Sequence, residues 1–186
     1  MRERGTKDGL VGFELEGKTF GVIGLGAIGT RVAKIAQAFG CNVIAYSRSF
    51  KRIDGVMFTE LDTLLETSDI VSLHVPLNDK TRCLINKEKL ALMKPNAILI
   101  NTARGPVIDS DALAEALREG RIAGAGVDVF EIEPPLNPAH PLLNASNVIA
   151  TPHIAFATKE ALVKRAVIVF DNVAKWLAGA PQNVIK

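Results

Sequence analysis

Short apolar runs that do not alternate with polar residues recur along the chain and constrain its fold most strongly. The runs occupy residues 20–25, 43–46, 70–75, 97–100, 123–130 and 148–150. Strands that are apolar on both faces are typical of a parallel sheet covered by helices on both sides. Segments with helical periodicity lie between the runs, at 27–39, 87–93 and 111–119, and after the last run, at 157–178. This alternation predicts an α/β fold with a doubly wound parallel sheet in three layers.

Three glycines stand where the first apolar run meets the first helical segment, at the spacing G-x-G-x-x-G (Gly24, Gly26 and Gly29). In a dinucleotide-binding turn the first permits a tight turn, the second leaves room for a pyrophosphate, and the third lets helix and strand pack closely. The free N–H groups of the helix start would face the phosphates. The pattern therefore predicts a Rossmann-type fold, although glycines that serve only the turn remain an alternative.

The first helical segment also carries an apolar pattern of its own. Its apolar residues recur at the spacing of one helical stripe: Ile28, Val32, Ile35, Ala36 and Phe39. The pattern predicts an amphipathic helix.

The residues after the second apolar run indicate which dinucleotide the chain would bind. An acidic residue that binds the ribose 2′-hydroxyl is expected about 20 residues after the glycines, but the chain has Ser47, Arg48 and Ser49 there. Serine does not repel a 2′-phosphate, and an arginine binds one by charge-assisted hydrogen bonds. We therefore expect NADP(H) to be preferred and NAD(H) to be possible. In the alternative interpretation, Arg48 is a solvated loop residue and either cofactor binds.

Length and composition limit the remaining possibilities. The 186 residues suit one domain, and the 48% of hydrophobic residues predict a folded protein. A net charge of +2 gives no reason to expect nucleic acid or an anionic membrane as a partner. The charged N-terminus resembles no signal peptide, and no apolar run approaches the ~18 residues of a membrane span. Cys41 and Cys83 are far apart. We expect a cytoplasmic protein without a metal site.

Four further stretches resemble the ordered motifs of a known protein family. They read LHVPLNDKTRCLIN (73–86), NTARGPVID (101–109), GAGVDVFEIEPP (124–135) and TPHIA (151–155). The glycine motif and the stretch GFELEGKTFGVIG (12–24), which leads into it, add to the same pattern. Together these stretches resemble the cofactor domain of the D-2-hydroxyacid dehydrogenase family. This family includes phosphoglycerate, glycerate and D-lactate dehydrogenases and glyoxylate/hydroxypyruvate reductases. The resemblance runs from about residue 10 to 186 and implies an NAD(P)-dependent oxidoreductase acting on 2-keto and 2-hydroxy acids.

The resemblance assigns three catalytic residues, whose chemistry suits the reduction of a keto acid. Arg104 would orient the substrate. His153 would be the general acid in reduction and the base in oxidation. Glu133 would hold the imidazole and favour its protonated form. Two other histidines, His74 and His140, are interpreted as structural, although His74 could approach the cofactor.

By the same resemblance, a larger set would contact the cofactor. Asp128 would fix the nicotinamide carboxamide, and Val75 and Pro76 would form a wall of the adenosine pocket. The full predicted set is Gly24, Gly26, Ala27, Ile28, Gly29, Ser47, Arg48, Ser49, Val75, Pro76, Thr81, Thr102, Ala103, Asp128, His153 and Ala155.

One irregular segment, 131–147, contains four prolines. Prolines oppose regular helix and sheet, and long structured loops are often functional.

The domain organisation is predicted from the same resemblance. We expect an N-terminal linker segment at 1–18, a dinucleotide-binding domain at 19–180 and a C-terminal tail at 181–186. The substrate domain of the family is expected to be absent, through natural truncation, deliberate shortening or proteolysis. The chain would then bind cofactor but turn over poorly, and a homodimer is plausible. Two other functions stay open: an NAD(H)-sensing interaction module of the corepressor type, and a different Rossmann enzyme such as a methyltransferase.

Overall fold

A computed structural model describes residues 12–49, 52–132 and 136–184. Within these ranges, seven parallel strands form one sheet in the order β3-β2-β1-β4-β5-β6-β7. The strands are β1 Thr19–Ile23, β2 Asn42–Tyr46, β3 Val56–Phe58, β4 Ile70–Leu73, β5 Ile98–Asn101, β6 Gly124–Val127 and β7 Val148–Ala150. The order reverses between β1 and β4, as in a Rossmann sheet. The predicted fold class is confirmed.

Five α-helices of the described residues accompany the strands. They are α1 Ala27–Ala38, α2 Leu61–Thr67, α3 Lys87–Ala91, α4 Ser110–Arg118 and α5 Lys159–Leu177. Side-chain oxygens cap three of them. Asn86 accepts the Lys89 N–H at 3.0 Å, Asp109 accepts the Ala112 N–H at 3.0 Å, and Thr158 accepts the Ala161 N–H at 3.0 Å. Each cap satisfies a backbone donor that the first helical turn leaves unpaired.

Successive side chains of β1 enter two different apolar clusters. Val22 and Val43 pack with Ala33 and Ala36 of α1. Ile23, Val71 and Leu73 pack with Leu64 and Leu65 of α2, in a larger cluster that also includes Leu113 of α4. Because neighbouring residues of a strand point to opposite faces, the two clusters lie on opposite sides of the sheet. The sheet is therefore the middle of three layers.

Only part of the apolar stripe predicted for the first helix lies on its buried side, since Ala36 of that stripe is buried. α1 buries Gly29, Ala33 and Ala36, whereas Ile28, Ile35 and Phe39 are 67%, 57% and 60% exposed. Small residues at this helical spacing let the helix approach the sheet closely, and the larger side chains are then turned outward. The helix itself was predicted correctly and so was the burial of Ala36, but the larger members of the predicted stripe do not face the sheet.

The sequence patterns also missed one strand. β3 has only three residues, Val56–Phe58, and pairs along one side with β2 at the edge of the sheet. A run this short carries too little periodicity to be distinguished from a loop.

The chain divides into two compact units, one ending at Pro152 and the other beginning at His153. The first contains the whole sheet. The second contains α5, where no residue is buried. Its exposed apolar side chains include Phe170 and Trp176, which are 73% and 68% exposed. The domain limits 19–180 remain a prediction. None of the helices in the described ranges combines the length and apolar composition needed to cross a membrane.

Asp69 ties together the beginnings of β1 and β4. Its carboxylate accepts the Thr19 N–H at 2.9 Å and the Lys94 ammonium at 3.0 Å. Burial acts to raise the pKa of Asp69, but the hydrogen bonds from Thr19 and Lys94 outweigh it, so the pKa lies below its ordinary value. A lowered pKa in the folded state contributes stability at neutral pH.

Replacing Asp69 with asparagine should therefore destabilise the chain in a pH-dependent way. At pH 7 we expect the free energy of unfolding to fall by about 1–2 kcal/mol, because the charged partner of Lys94 is lost. The contribution of Asp69 is complete above the unfolded pKa of about 3.9 and is lost as the pH falls through the lower folded value. Urea unfolding at pH 7, 5, 4 and 3 would measure this, and the difference between the two proteins should shrink below about pH 4.

The matched control is Asp62→Asn. Asp62 also pairs with a lysine, Lys89, but its side chain is 54% exposed, and exposed pairs contribute about 0–1 kcal/mol. An equal loss at pH 7 in both variants, or a difference for Asp69→Asn that does not change with pH, would contradict the assignment.

Candidate dinucleotide site

A groove of about 370 Å³ opens beside the carboxyl ends of β1, β2 and β4. This size falls within the usual range for small-molecule sites. It lies where the strand order reverses, the position at which open α/β sheets bind their ligands. The lining residues are Gly24, Leu25, Gly26, Tyr46, Ser47, Arg48, Ser49, His74, Val75, Pro76, Asn78, Lys80, Thr81 and Leu84.

The glycine turn is built by close backbone contacts. Gly24 has a φ of +97°, and a Cβ there would lie 2.6 Å from the carbonyl oxygen of His74. Its N–H donates to the Tyr46 carbonyl at 2.8 Å. A Cβ on Gly29 would lie 1.9 Å from the Gly24 carbonyl oxygen. These two positions therefore require glycine for the backbone to take this path.

Gly26 differs from its two neighbours in the motif. A Cβ built there would meet nothing within 4 Å, so the fold itself does not require glycine. Gly26 lines the groove and immediately precedes the first residue of α1. Open space at a helix N-terminus suits a phosphate group, which backbone N–H groups and the helix dipole favour. The residues present thus fit a dinucleotide with its pyrophosphate at this turn.

The structure places eight of the predicted cofactor residues in the groove: Gly24, Gly26, Ser47, Arg48, Ser49, Val75, Pro76 and Thr81. Three others belong to the opening of α1 and are not among its lining residues: Ala27, Ile28 and Gly29. Two more follow β5, outside the same lining: Thr102 and Ala103.

Sequence reasoning missed several groove residues, among them Asn78 and Lys80. The 78–81 turn is internally organised: the Thr81 hydroxyl donates to the Pro76 carbonyl at 2.6 Å and accepts the Asn78 N–H at 2.9 Å. Lys80 provides a second cation in the lining, in addition to Arg48. The sequence did offer one indication of Lys80, because this residue directly precedes the predicted Thr81 in the 73–86 stretch that carries the family resemblance.

His74 lines the groove although it was interpreted as structural. Its N–H donates to the Ile23 carbonyl at 2.7 Å, and its Nε2 lies 2.9 Å from the Ser72 hydroxyl. Burial lowers the pKa of His74 below its ordinary value. The imidazole is therefore neutral at pH 7. Its contacts support the structural role, and its position borders the site.

Arg104 follows β5 in a turn that the side chain of Asn101 organises. The Asn101 amide donates to the Arg104 carbonyl at 3.0 Å, and its oxygen accepts the Ala103 N–H at 3.0 Å. A Cβ on Gly105 would lie 2.0 Å from the carbonyl carbon of Phe130. The turn is thus held on both sides of Arg104, which is exposed.

Asp128 follows β6 and is 4% exposed. Its carboxylate accepts the Thr151 hydroxyl at 2.5 Å, and its N–H donates to the Asn101 carbonyl at 3.0 Å. The Thr151 N–H in turn donates to the Val127 carbonyl at 3.0 Å. These bonds link the carboxyl ends of β5, β6 and β7. Residues from the stretches 101–109, 124–135 and 151–155 therefore meet at the carboxyl end of the sheet.

The remaining predicted site residues lie elsewhere. Glu133 is outside the described residues. His153 and Ala155 belong to the second unit. His153 has a left-handed φ of +54°, and its ring meets the ring of Phe156 edge-on at 5.6 Å. A non-glycine residue with this φ is uncommon and often marks a functional position.

Residues 1–155 match the family model of the D-isomer specific 2-hydroxyacid dehydrogenase, NAD binding domain. The chain belongs to this family. The family resemblance and the nicotinamide cofactor expected from the sequence are both confirmed, whereas a preference for NADP(H) is not distinguished.

Relatives in this dehydrogenase family carry several activities. A glyoxylate reductase of Aeropyrum pernix is 49% identical over 181 residues, which are 95% of this chain and 54% of the relative. A D-3-phosphoglycerate dehydrogenase of Methanocaldococcus jannaschii is 48% identical over 180 residues, 94% of this chain and 34% of the relative. The chain spans about half the length of the glyoxylate reductases that it matches.

Several solved structures have the same fold as this chain. A crystal structure of a Thermus thermophilus protein superposes with a TM-score of 0.90 at 41% identity, covering 97% of this chain and 57% of that one. An acyclic imino acid reductase in complex with NADPH and D-Arg superposes with a TM-score of 0.86 at 39% identity, covering 95% and 56%. A D-lactate dehydrogenase of Lactobacillus jensenii, solved with NAD⁺, has a TM-score of 0.86 at 35% identity, covering 96% and 58%.

Proposed function

We propose that this chain binds NADP(H) and, within the complete enzyme, carries out the reversible reduction of a 2-keto acid to a D-2-hydroxy acid. The groove at the reversal of strand order carries the proposal, because the glycine turn and the Ser47–Arg48 pair line the same space. The relatives named glyoxylate reductase support the substrate class.

The proposed chemistry assigns one task to each side chain. The nicotinamide ring, when bound, supplies the hydride for reduction. Arg104 binds the substrate carboxylate and orients it, since a guanidinium forms paired hydrogen bonds with a carboxylate. His153 gives a proton to the carbonyl oxygen in reduction and removes it in oxidation. Glu133 holds the imidazole and favours its protonated form. These roles rest on the family resemblance of the motifs that contain them.

The preference for NADP(H) is the finer part of the proposal. Arg48 and Lys80 both line the groove, and no carboxylate stands among its lining residues, all of which lie in the described part of the chain. A 2′-phosphate bound in this groove would therefore have two cationic side chains and no carboxylate in the surrounding lining. One structural neighbour contains NADPH and another NAD⁺, so the neighbours do not decide the choice for this chain.

Replacing Arg48 with alanine should weaken NADPH binding selectively. We expect a loss of about 1.5–3 kcal/mol, the contribution of a hydrogen bond to a charged group, and almost no change for NADH. Calorimetric titration of the wild-type chain and the variant with both cofactors would measure this. The wild-type titration comes first, and tighter binding of NADPH than of NADH is expected.

The matched control is Arg52→Ala. Arg52 is also exposed and lies four residues further along, but it is not among the groove residues. It should change NADPH affinity only through weak long-range charge. Equal losses of NADPH and NADH affinity in Arg48→Ala would rule out the 2′-phosphate assignment.

A homodimer is also part of the proposal. The outward apolar side chains of α1, Ile28, Ile35 and Phe39, support it, because exposed apolar clusters commonly mark protein interfaces. The cytoplasmic location stays a prediction from the sequence.

A further inference from the structure

Asn101 is a polar residue at the end of the otherwise apolar strand β5, and only 1% of it is exposed. A side-chain amide that is buried this deeply destabilises a fold unless it is hydrogen-bonded. We propose that Asn101 is a positioning residue, which holds Arg104 in place for the substrate and fixes it relative to Asp128. The inference rests on the role proposed above for Arg104.

The side chain of Asn101 bonds twice to the turn that carries Arg104. Its Oδ1 accepts the Ala103 N–H at 3.0 Å, and its Nδ2 donates to the Arg104 carbonyl at 3.0 Å. An asparagine oxygen that accepts the N–H two residues further on forms an Asx-turn. Because both ends of the amide bond to the same short turn, the backbone path from 101 to 104 depends on this one side chain.

The guanidinium group of Arg104 is held by the same turn. Its Nη1 donates to the Ala103 carbonyl at 2.6 Å, and Asn101 binds the N–H of that same alanine. Hydrogen bonds thus lead from Asn101 through Ala103 to the charged group that would bind the substrate carboxylate. Since Arg104 is exposed, packing around its side chain contributes little, and the turn determines where the guanidinium lies.

The part of the turn that follows Arg104 is fixed without the Asn101 side chain. The Arg104 carbonyl also accepts the Val107 N–H at 3.2 Å, and Val107 is buried in the core. Gly105 packs so closely on the backbone of Phe130 that a Cβ there would clash. Loss of the Asn101 amide should therefore displace Arg104 without unfolding the rest of the sheet.

The backbone of Asn101 connects this turn to the residue after β6. The Asn101 carbonyl accepts the Asp128 N–H at 3.0 Å, and Asp128 is the residue predicted to fix the nicotinamide carboxamide. Hydride transfer requires substrate and nicotinamide to be held in a defined geometry, so one residue that contacts both neighbourhoods sets their relative position. Because the bond to Asp128 uses the main chain, a substitution at position 101 removes only the contacts to the Arg104 turn.

Steady-state reduction of glyoxylate with NADPH by the complete enzyme tests the inference. Asn101→Ala removes both side-chain bonds, so kcat/KM should fall about 10–100-fold, mainly through a higher KM for glyoxylate. The Kd for NADPH, measured by calorimetric titration, should be unchanged, because the backbone bond to Asp128 is kept. Asn101→Ser keeps an oxygen that can accept the Ala103 N–H, and its KM should lie between those of Asn101→Ala and the wild type.

The matched control is Asn86→Ala. Asn86 also accepts a backbone N–H at 3.0 Å with its side chain, but its partner is Lys89 at the start of α3. This variant should therefore keep the wild-type KM for glyoxylate. Thermal melts show which variants are folded, and Asn101→Ser decides the question if Asn101→Ala does not fold.

Arg104→Ala separates this inference from the proposed function. If Asn101 acts through Arg104, adding Asn101→Ala to Arg104→Ala should raise the KM no further. An additive rise, or a parallel loss of NADPH affinity in Asn101→Ala, would show a general structural role and overturn the inference.

Two further outcomes distinguish the failures. If Arg104→Ala raises the KM and the folded variants of Asn101 do not, the positioning role is wrong and the role of Arg104 is kept. If Arg104→Ala itself leaves the KM unchanged, the role of Arg104 is wrong and the inference is overturned with it.

Discussion

Gly29→Ala is expected to unfold the chain or destabilise it severely, whereas Gly26→Ala should keep the fold and weaken cofactor binding. A Cβ on Gly29 would lie 1.9 Å from the Gly24 carbonyl oxygen and 3.2 Å from Cβ of His74. Backbone atoms in a buried turn cannot move aside without shifting α1 away from β1. We expect a loss of about 3–5 kcal/mol of stability, the range of the more severe single substitutions.

Gly26→Ala changes the same turn by the same methyl group but meets no atom within 4 Å. Its stability should change by less than about 1 kcal/mol. Because the methyl group would occupy the space proposed for the pyrophosphate, NADPH affinity should fall at least tenfold, or about 1.4 kcal/mol. Urea unfolding and calorimetric titration of both variants separate the two effects. A stable Gly29→Ala, or a Gly26→Ala that binds NADPH normally, would show the corresponding assignment to be wrong.

His153→Asn in the complete enzyme is expected to abolish most keto-acid reduction. General acid catalysis by a positioned side chain contributes about 10²–10⁴-fold, so kcat/KM for glyoxylate should fall by that factor. Asparagine is the suitable replacement, since it tolerates the left-handed φ of +54° at this position better than most residues do. The backbone should therefore keep its path while the proton donor is lost.

The measurement is a steady-state assay of glyoxylate reduction with NADPH, accompanied by calorimetric titration of NADPH. Unchanged cofactor affinity would show that the loss concerns the proton donor and not the binding site. A His153→Asn enzyme with full activity would refute the role of His153. A complete wild-type protein that binds the cofactor but reduces no 2-keto acid would instead favour the NAD(H)-sensing alternative.

The sequence patterns located most of the sheet because a parallel strand covered on both faces leaves a continuous apolar run. The run at 148–150 coincides with β7, Val148–Ala150. The run at 20–25 extends past β1, Thr19–Ile23, because Gly24 and Leu25 are buried in the turn that follows. Burial and strand pairing are different properties, and hydrophobicity reports only the first.

The orientation of α1 could not be read from the same pattern. Hydrophobic periodicity selected Ala36 correctly, but it also selected Ile28, Ile35 and Phe39, which are exposed. It missed the buried Gly29 and Ala33. A helix can approach a strand closely only where the side chains between them are small, and a hydrophobicity pattern does not record side-chain size. The error is therefore one of side-chain size and not of secondary structure.

The sequence by itself determined the fold class, the family and the position of the dinucleotide turn, because each depends on local patterns: apolar runs, glycine spacing and ordered motifs. Only the tertiary structure brought residues 24–26, 46–49 and 74–76 to one groove and added Asn78 and Lys80 to its lining. Only the tertiary structure joined Ser110, Glu131 and His140. Such contacts connect residues far apart in the chain, and they depend on how strands and helices pack, which no local pattern records.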